Sequence, residues 1–417
     1  MRGLIYARKV KAGDQARIVA LAEPDPERRA AAAAEFDVPA DGVFESWEEL
    51  AAAAAEDGFP HVDAAMITTQ DQMHVGPAVA FSALGWHLLL EKPMAPTEAD
   101  SRVIAEAAEA AGVILAVCHV MRYTPYTMAL KEIVDSGRIG DIVSIEHLEP
   151  VGFWHQAHSF VRGNWRREED SSPMLLAKST HDIDWLIYVI GEQPKQVSSF
   201  GSLMHFREEN APAGSTANCL DCPVEPTCPY SAKRIYLDCL GDPLKEFWPL
   251  SVVTMARTEE GVLAALRDSQ YGRCVYRCDN DVVDHQVVNM EFPGGATTSF
   301  TMMPFTRLEH RKTRVFGTRG LIEGDGMKLL ITDFLTDTDE VVDTGTDGAS
   351  AAEGHGGGDA AMIGRFLEAV ATGDRTRILS DGPSSLATHR AVWAAERARK
   401  DGAVVVLDQI PPSHPHI

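Results

Sequence analysis

Residues 85–112 read GWHLLLEKPMAPTEADSRVIAEAAEAAG, with Glu91-Lys92-Pro93 at their centre. The apolar run from Trp86 to Leu90 is short and stops at a charged pair and a proline, the pattern of a buried parallel strand. Lys92 is therefore expected at a strand's carboxyl end. Ligands of open α/β sheets bind outside that edge, so Lys92, stiffened by Pro93, would hold a cation at the mouth of a crevice. A solvated lysine before a loop proline would read the same way. Thr97 is placed to cap a helix over 98–111, and Gly112 to end it.

The flanking sequence continues this alternation. Residues 63–68 read as a strand running into Thr69-Gln70-Asp71-Gln72-Met73-His74, and 113–117 as another, followed by Cys118-His119-Val120-Met121-Arg122-Tyr123. Upstream, 4–12 reads as a helix ended by Gly13, and 17–22 as a strand ending at Glu23. A carboxylate there accepts hydrogen bonds from both hydroxyls of an adenine ribose, which favours NAD, while Arg28 and Arg29 keep NADP open. Ser46 and Glu49 form a capping box, so the alanine run at 51–55 is structural. A dinucleotide fold also needs a strand and a glycine-rich turn ahead of its first helix, so that pyrophosphate sits on the helix N-terminus. The chain instead opens Met1-Arg2-Gly3.

The strand at 63–68, Thr69-Gln70-Asp71 with His74, Glu91-Lys92-Pro93 and His181-Asp182-Ile183-Asp184 resemble, in this order, the motifs of the Gfo/Idh/MocA oxidoreductases, the family of glucose-fructose oxidoreductase and inositol dehydrogenase. The resemblance covers essentially the whole chain. It implies an α/β protein: a Rossmann domain over 1–123 lacking its first strand and glycine turn, then an α+β domain over 124–417 with an open, mainly antiparallel sheet. The family's turn reads Gly-x-Gly-x-Arg-Gly, which matches Arg2 and Gly3 to its end. Met1 is then expected to lie inside a longer reading frame. The resemblance makes Lys92 and His181 catalytic. It brings Thr68, Thr69, Gln70, Glu91 and Lys92 to the cofactor, and His119 and Arg122 to cofactor or substrate; His74 reads equally well as a cofactor contact or a structural residue. Family members with an Asp four residues before the histidine have Ala177 as their counterpart here, so Lys178 is expected to take over part of that role.

In the second half, Thr124 caps a helix with Pro125 at its first position, and 142–148 alternates as a strand. The following loop, 153–165, interleaves Trp154, His155, His158, Arg162 and Trp165. Aromatic faces stack on the C–H faces of a sugar while the polar groups meet its hydroxyls, so these residues and Asp182 are candidate substrate contacts. A packed loop is the alternative. Lys178 and His181 stand three apart at the start of an amphipathic helix, on one face, where the lysine's charge would depress the histidine's pKa. Cys219, Cys222 and Cys228 lie in an insertion around 205–240. They could hold zinc or another metal with Cys239 or His205 as a fourth ligand, or remain free thiols. Val287 onward reads as antiparallel strands, and His355-Gly356-Gly357-Gly358-Asp359 as a flexible loop over the site.

The 417 residues suggest two or three domains by length, are 45% hydrophobic, as is ordinary for a globular protein with a full core, and carry a net charge of −23. That charge counts against nucleic acid and anionic membrane surfaces. With no membrane-length apolar run and no signal-peptide core, the cytoplasm is the expected compartment. The expected activity is NAD(P)-linked oxidation or reduction at a secondary alcohol of a sugar, aminosugar or cyclitol, in a homodimer or homotetramer. An NAD-dependent glycosidase and a non-catalytic dinucleotide-binding regulator are the alternatives within the family.

Overall fold

The computed structural model describes residues 2–345 and 355–407. They divide into two compact units, one of residues 2–128 and 355–390, the other of 129–345 and 391–407. Among the described residues no helix is long and apolar enough to cross a membrane.

The first unit alternates α1 (Arg2–Ala12), β1 (Leu21–Ala22), α2 (Pro26–Glu35), β2 (Val43–Phe44), α3 (Trp47–Ala54), β3 (Ala64–Ile67), α4 (Val75–Ala83), β4 (His87–Leu90), α5 (Glu98–Ala110) and β5 (Leu115–Val117). All strand pairs are parallel: β1 lies beside β2, and β4 lies between β3 and β5. No strand among the described residues joins the two sheets. Leu88, Leu89 and Leu90 are all fully buried, which is why β4 reads as an unbroken apolar run. Trp86, Leu88, Leu90, Phe81, Ile104 and Val117 share one core. Thr97 caps α5 through the Asp100 amide at 3.1 Å, and Gly112 past its end takes φ +67°. The predicted capping box is only half formed. Ser46 accepts from the Glu49 amide at 3.2 Å, but Glu49 Oε2 reaches the amide of Glu45, at 3.0 Å, where the reciprocal bond would go to Ser46.

The glycine stretch before Asp359 is not the loose loop expected. His355–Gly357 forms a tight turn with Gly356 and Gly357 at φ +61° and +86°, and the helix Gly358–Thr372 follows. A Cβ on Gly358 would stand 2.4 Å from the Val120 carbonyl oxygen, so this segment is packed closely against the Val120–Tyr123 turn.

The second unit is a nine-stranded sheet in the order β13-β12-β11-β10-β6-β9-β8-β7-β14. Its strands are β6 (Ile142–Pro150), β7 (Gln196–Ser202), β8 (His285–Glu291), β9 (Thr297–Met303), β10 (Lys312–Gly317), β11 (Gly320–Gly324), β12 (Lys328–Asp333), β13 (Thr338–Asp343) and β14 (Val405–Val406). Every pair is antiparallel except β6 with β9, so the sheet is mixed but mainly antiparallel, as expected. The helix Thr180–Ile190 packs on β6 and β9 and ends at Gly191 with φ +82°. It is not amphipathic: every residue from Thr180 to Ile187 is buried. The predicted loop over 153–165 is also largely helical. Phe153–His155 forms one turn and Gln156–Arg162 a wider π-type stretch, buried throughout. Between β7 and β8 lies the cysteine-bearing insertion, built from short helices with small cores of its own.

Candidate functional site

In the first unit the backbone beside Lys92 is pinned by the residue before it. Glu91 is buried, its Oε2 accepts from the Lys92 amide at 2.9 Å, and its Oε1 accepts from Arg2 Nε at 2.7 Å and the Tyr6 hydroxyl at 2.6 Å. Arg2 is held in turn by both oxygens of Asp359, at 2.6 and 3.1 Å. Burial works against the charge on Glu91, but Arg2 and Tyr6 outweigh it and keep its carboxyl below the ordinary range. Asp359 is buried too, and His355 and Arg2 hold it well below that range. Lys92 itself is half-buried, and the Lys92–Pro93 peptide is cis.

His74 is fully buried; its Nδ1 faces the carbonyls of Pro93 and Met94 at 2.9 and 3.1 Å, and its Nε2 that of Thr69 at 3.2 Å. Of the two readings of this histidine the geometry matches the structural one: it ties the loop after β3 to the loop after β4. His389 accepts from the Met94 amide at 2.9 Å and meets the ring of His119 edge-on at 5.7 Å. Arg122 is buried with a guanidinium nitrogen on the Leu379 carbonyl. Glu23 stands at the end of β1, one carboxylate oxygen accepting from the Asp25 amide at 3.0 Å. Thr69 and Gln70 are exposed at the end of β3, and Thr68 is half-buried.

A dinucleotide needs close approach between the first helix and the sheet. A Cβ on Gly3 would stand 2.7 Å from Thr68 Oγ1, so the missing side chain at Gly3 lets α1 start close against the end of β3. The residues present therefore fit such a cofactor.

In the second unit His181 and Asp182 begin the helix Thr180–Ile190, both buried. Asp182 Oδ1 lies 2.7 Å from Arg311 Nε and 3.2 Å from His147 Nε2. Burial opposes the charge on Asp182, but Arg311 and His147 hold its carboxyl well below the usual range. Glu149 bridges the same group, with Lys178 Nζ at 2.7 Å and Arg311 Nε at 2.8 Å. Lys178 lies before the helix, which starts at Thr180, and its charge is met by Glu149, so the expectation that it shares the histidine's helical face is corrected. The partners on β6 and at the start of β10 lie far away in sequence, which is why the motif did not show them.

The aromatic segment divides in two. Trp154 and His155 pack on Trp248, with ring centroids 5.1 and 4.9 Å apart, and Trp165 is exposed. His158 and Arg162 are buried within the insertion's packing, a structural position where substrate contact was expected. His158 Nδ1 meets the Tyr236 hydroxyl at 2.8 Å, and burial, aided by Arg162, lowers its pKa to about 3. Arg162 donates to the carbonyls of Arg273 and Tyr230 at 2.7 and 2.8 Å. All seven cysteines are free thiols, and among the described residues no three His, Cys, Asp or Glu side chains are placed to hold a metal ion.

Residues 3–119 match the family described as "Oxidoreductase family, NAD-binding Rossmann fold", and 131–405 its "C-terminal alpha/beta domain". The Bacillus subtilis protein YteT, named as an oxidoreductase, is 24% identical over 63% of this chain and 60% of its own length. The inositol 2-dehydrogenase of Streptomyces avermitilis is 33% identical over 43% of this chain and 47% of its own length. The chain thus spans less than two-thirds of either curated relative. An oxidoreductase from Agrobacterium radiobacter, solved with NAD+, L-tartaric acid and magnesium, shares the fold at a TM-score of 0.69 and 16% identity, covering 97% of this chain and 95% of that one.

Proposed function

This chain belongs to the Gfo/Idh/MocA oxidoreductase family, and we propose from that membership that it transfers hydride between a nicotinamide dinucleotide and a secondary alcohol carbon of a sugar, aminosugar or cyclitol. The observation that carries the reading is the fixed backbone at Lys92, where Glu91 Oε2 accepts from the Lys92 amide at 2.9 Å and is itself clamped by Arg2 and Tyr6. A cation on so ordered a strand end serves a reacting oxygen better than one on a mobile loop.

Oxidising an alcohol takes a proton from oxygen as hydride leaves carbon, which calls for a base and for a cation favouring the developing alkoxide. His181 takes the proton, and Lys92 polarises the hydroxyl. When bound, the dinucleotide supplies the hydride acceptor. Gly3 and the start of α1, Thr68, Thr69 and Gln70 would hold it, and Glu23 would meet the adenine ribose, which favours NAD over NADP. Trp154 and His155, seated on Trp248, offer the aromatic surface that a sugar's C–H faces need. The name of the Streptomyces relative points to the same substrate class.

The test is a screen of polyols, sugars and cyclitols for NADH or NADPH formation, then Lys92→Ala and His181→Ala on the best substrate. Each variant is expected to lose turnover by about 10²-fold or more with NAD binding retained, the scale for losing an acid–base group. Undiminished turnover in both would overturn the reading.

A further inference from the structure

Asp359 lies 357 positions from Arg2 in the chain, yet it is fully buried with both carboxylate oxygens on that one guanidinium. The backbone leaves it little freedom. Gly356 and Gly357, at φ +61° and +86°, turn the chain into the helix Gly358–Thr372, and the close approach of Gly358 to the Val120 carbonyl fixes where that helix begins. Asp359 follows directly in its first turn.

A carboxylate in the first turn of a helix is ordinary, because it faces the positive end of the dipole. Such a group needs no burial, and burying it works against its charge unless cations meet it. Here Arg2 meets it through two N–H bonds, Nη2 to Oδ1 at 2.6 Å and Nη1 to Oδ2 at 3.1 Å, and His355 Nδ1 lies 3.3 Å from Oδ1. A two-bond fork fixes the plane of a guanidinium as well as its place. Nε of the same group is thereby aimed at Glu91 Oε1, 2.7 Å away, to which the Tyr6 hydroxyl also donates at 2.6 Å. With Oε1 held by two donors, Oε2 is the oxygen turned to the Lys92 amide, at 2.9 Å. Pro93 has no amide proton, so this bond is the only one that the Lys92–Pro93 pair can donate from its backbone.

We propose that Asp359 is a positioning residue for Lys92, acting through Arg2 and Glu91. This role rests on the reading that Lys92 polarises the reacting hydroxyl, and it assigns the last link in the ordering of that lysine to a segment far from it in sequence. Without the Asp359 charge the Arg2 guanidinium is free to turn, Glu91 loses the donor that the fork directs, and the Lys92 side chain departs from a fixed line of approach. A displacement of about 1 Å at a reacting group costs roughly 10²-fold in rate.

The first test needs no substrate. In the full chain carrying isotope-labelled lysine, hydrogen exchange at the Lys92 amide reports the opening of its bond to Glu91. Asp359→Asn is expected to speed that exchange about tenfold or more, the scale of losing a charge-assisted bond. Arg2→Lys keeps every charge but cannot form the fork, so it should do the same, whereas an Asp359 that merely neutralised charge would be satisfied by lysine. Unchanged exchange in Asp359→Asn, or in Arg2→Lys where the asparagine variant does not fold, overturns the proposal. Turnover on the substrate found by the screen is the second test. Asp359→Asn should lower kcat about 10- to 100-fold with KM little changed. In a Lys92→Ala background it should add nothing, where a general loss of structure would still multiply, and an added loss there overturns the positioning role. Undiminished turnover in Lys92→Ala alone would instead sink the functional reading, a failure visible before any Asp359 variant is made.

Discussion

Lys178 and His181 stand three apart, yet the charge of Lys178 goes to Glu149 on β6, 2.7 Å away. Lys178→Met leaves Glu149, almost wholly buried, with Arg311 alone. The expected cost is about 3 kcal/mol, the low end for breaking a buried pair, because the lysine side chain keeps 17% of its surface exposed. Urea unfolding measures it, and an unchanged midpoint would show that the pair contributes nothing. His158 makes a second prediction through pH. Its pKa of about 3 in the native chain lies below the ordinary 6.5. Between those values the unfolded chain binds a proton that the native chain refuses. Stability is therefore complete above pH 6.5 and falls on acidification towards 3, by up to about 1.4 kcal/mol per pH unit from this group. His158→Gln should flatten that limb when unfolding midpoints at pH 7 and pH 5 are compared, and an unaltered slope would refute the assignment.

At the scale of elements, the parts with local causes behave as local physics requires. Thr97→Ala removes the bond to the Asp100 amide and is expected to cost about 1 kcal/mol in urea unfolding. Gly358→Ala tests a tertiary cause. Its Cβ would meet the Val120 carbonyl oxygen at 2.4 Å and Thr124 Cγ2 at 3.0 Å, so the helix Gly358–Thr372 must shift from the Val120–Tyr123 turn. About 1–3 kcal/mol of destabilisation is expected, the range for overpacking a close contact. A helix-favouring gain from replacing glycine would mean that the contact yields readily. The stretch Gln156–Arg162 shows the opposite limit: its helical turns are buried on all sides, so no apolar stripe marked them.

On the scale of the molecule, the nine-stranded sheet turns Val197 and Ser199 of β7 inward and leaves Phe200 67% exposed on the other face. What the amino-acid sequence determined by itself was the alternation of strands and helices around Glu91-Lys92-Pro93, the cap at Thr97 and the antiparallel second half. Each follows from spacing and capping within a few residues. Tertiary structure alone decided that Arg2 and Tyr6 meet at Glu91 with Asp359 on the far side of Arg2, that Arg311 and His147 meet at Asp182, and that Cys274 joins the cysteines some fifty positions earlier. These are pairings of buried charged and polar groups across long loops. Their energy comes from desolvation and partner geometry, which no local periodicity records.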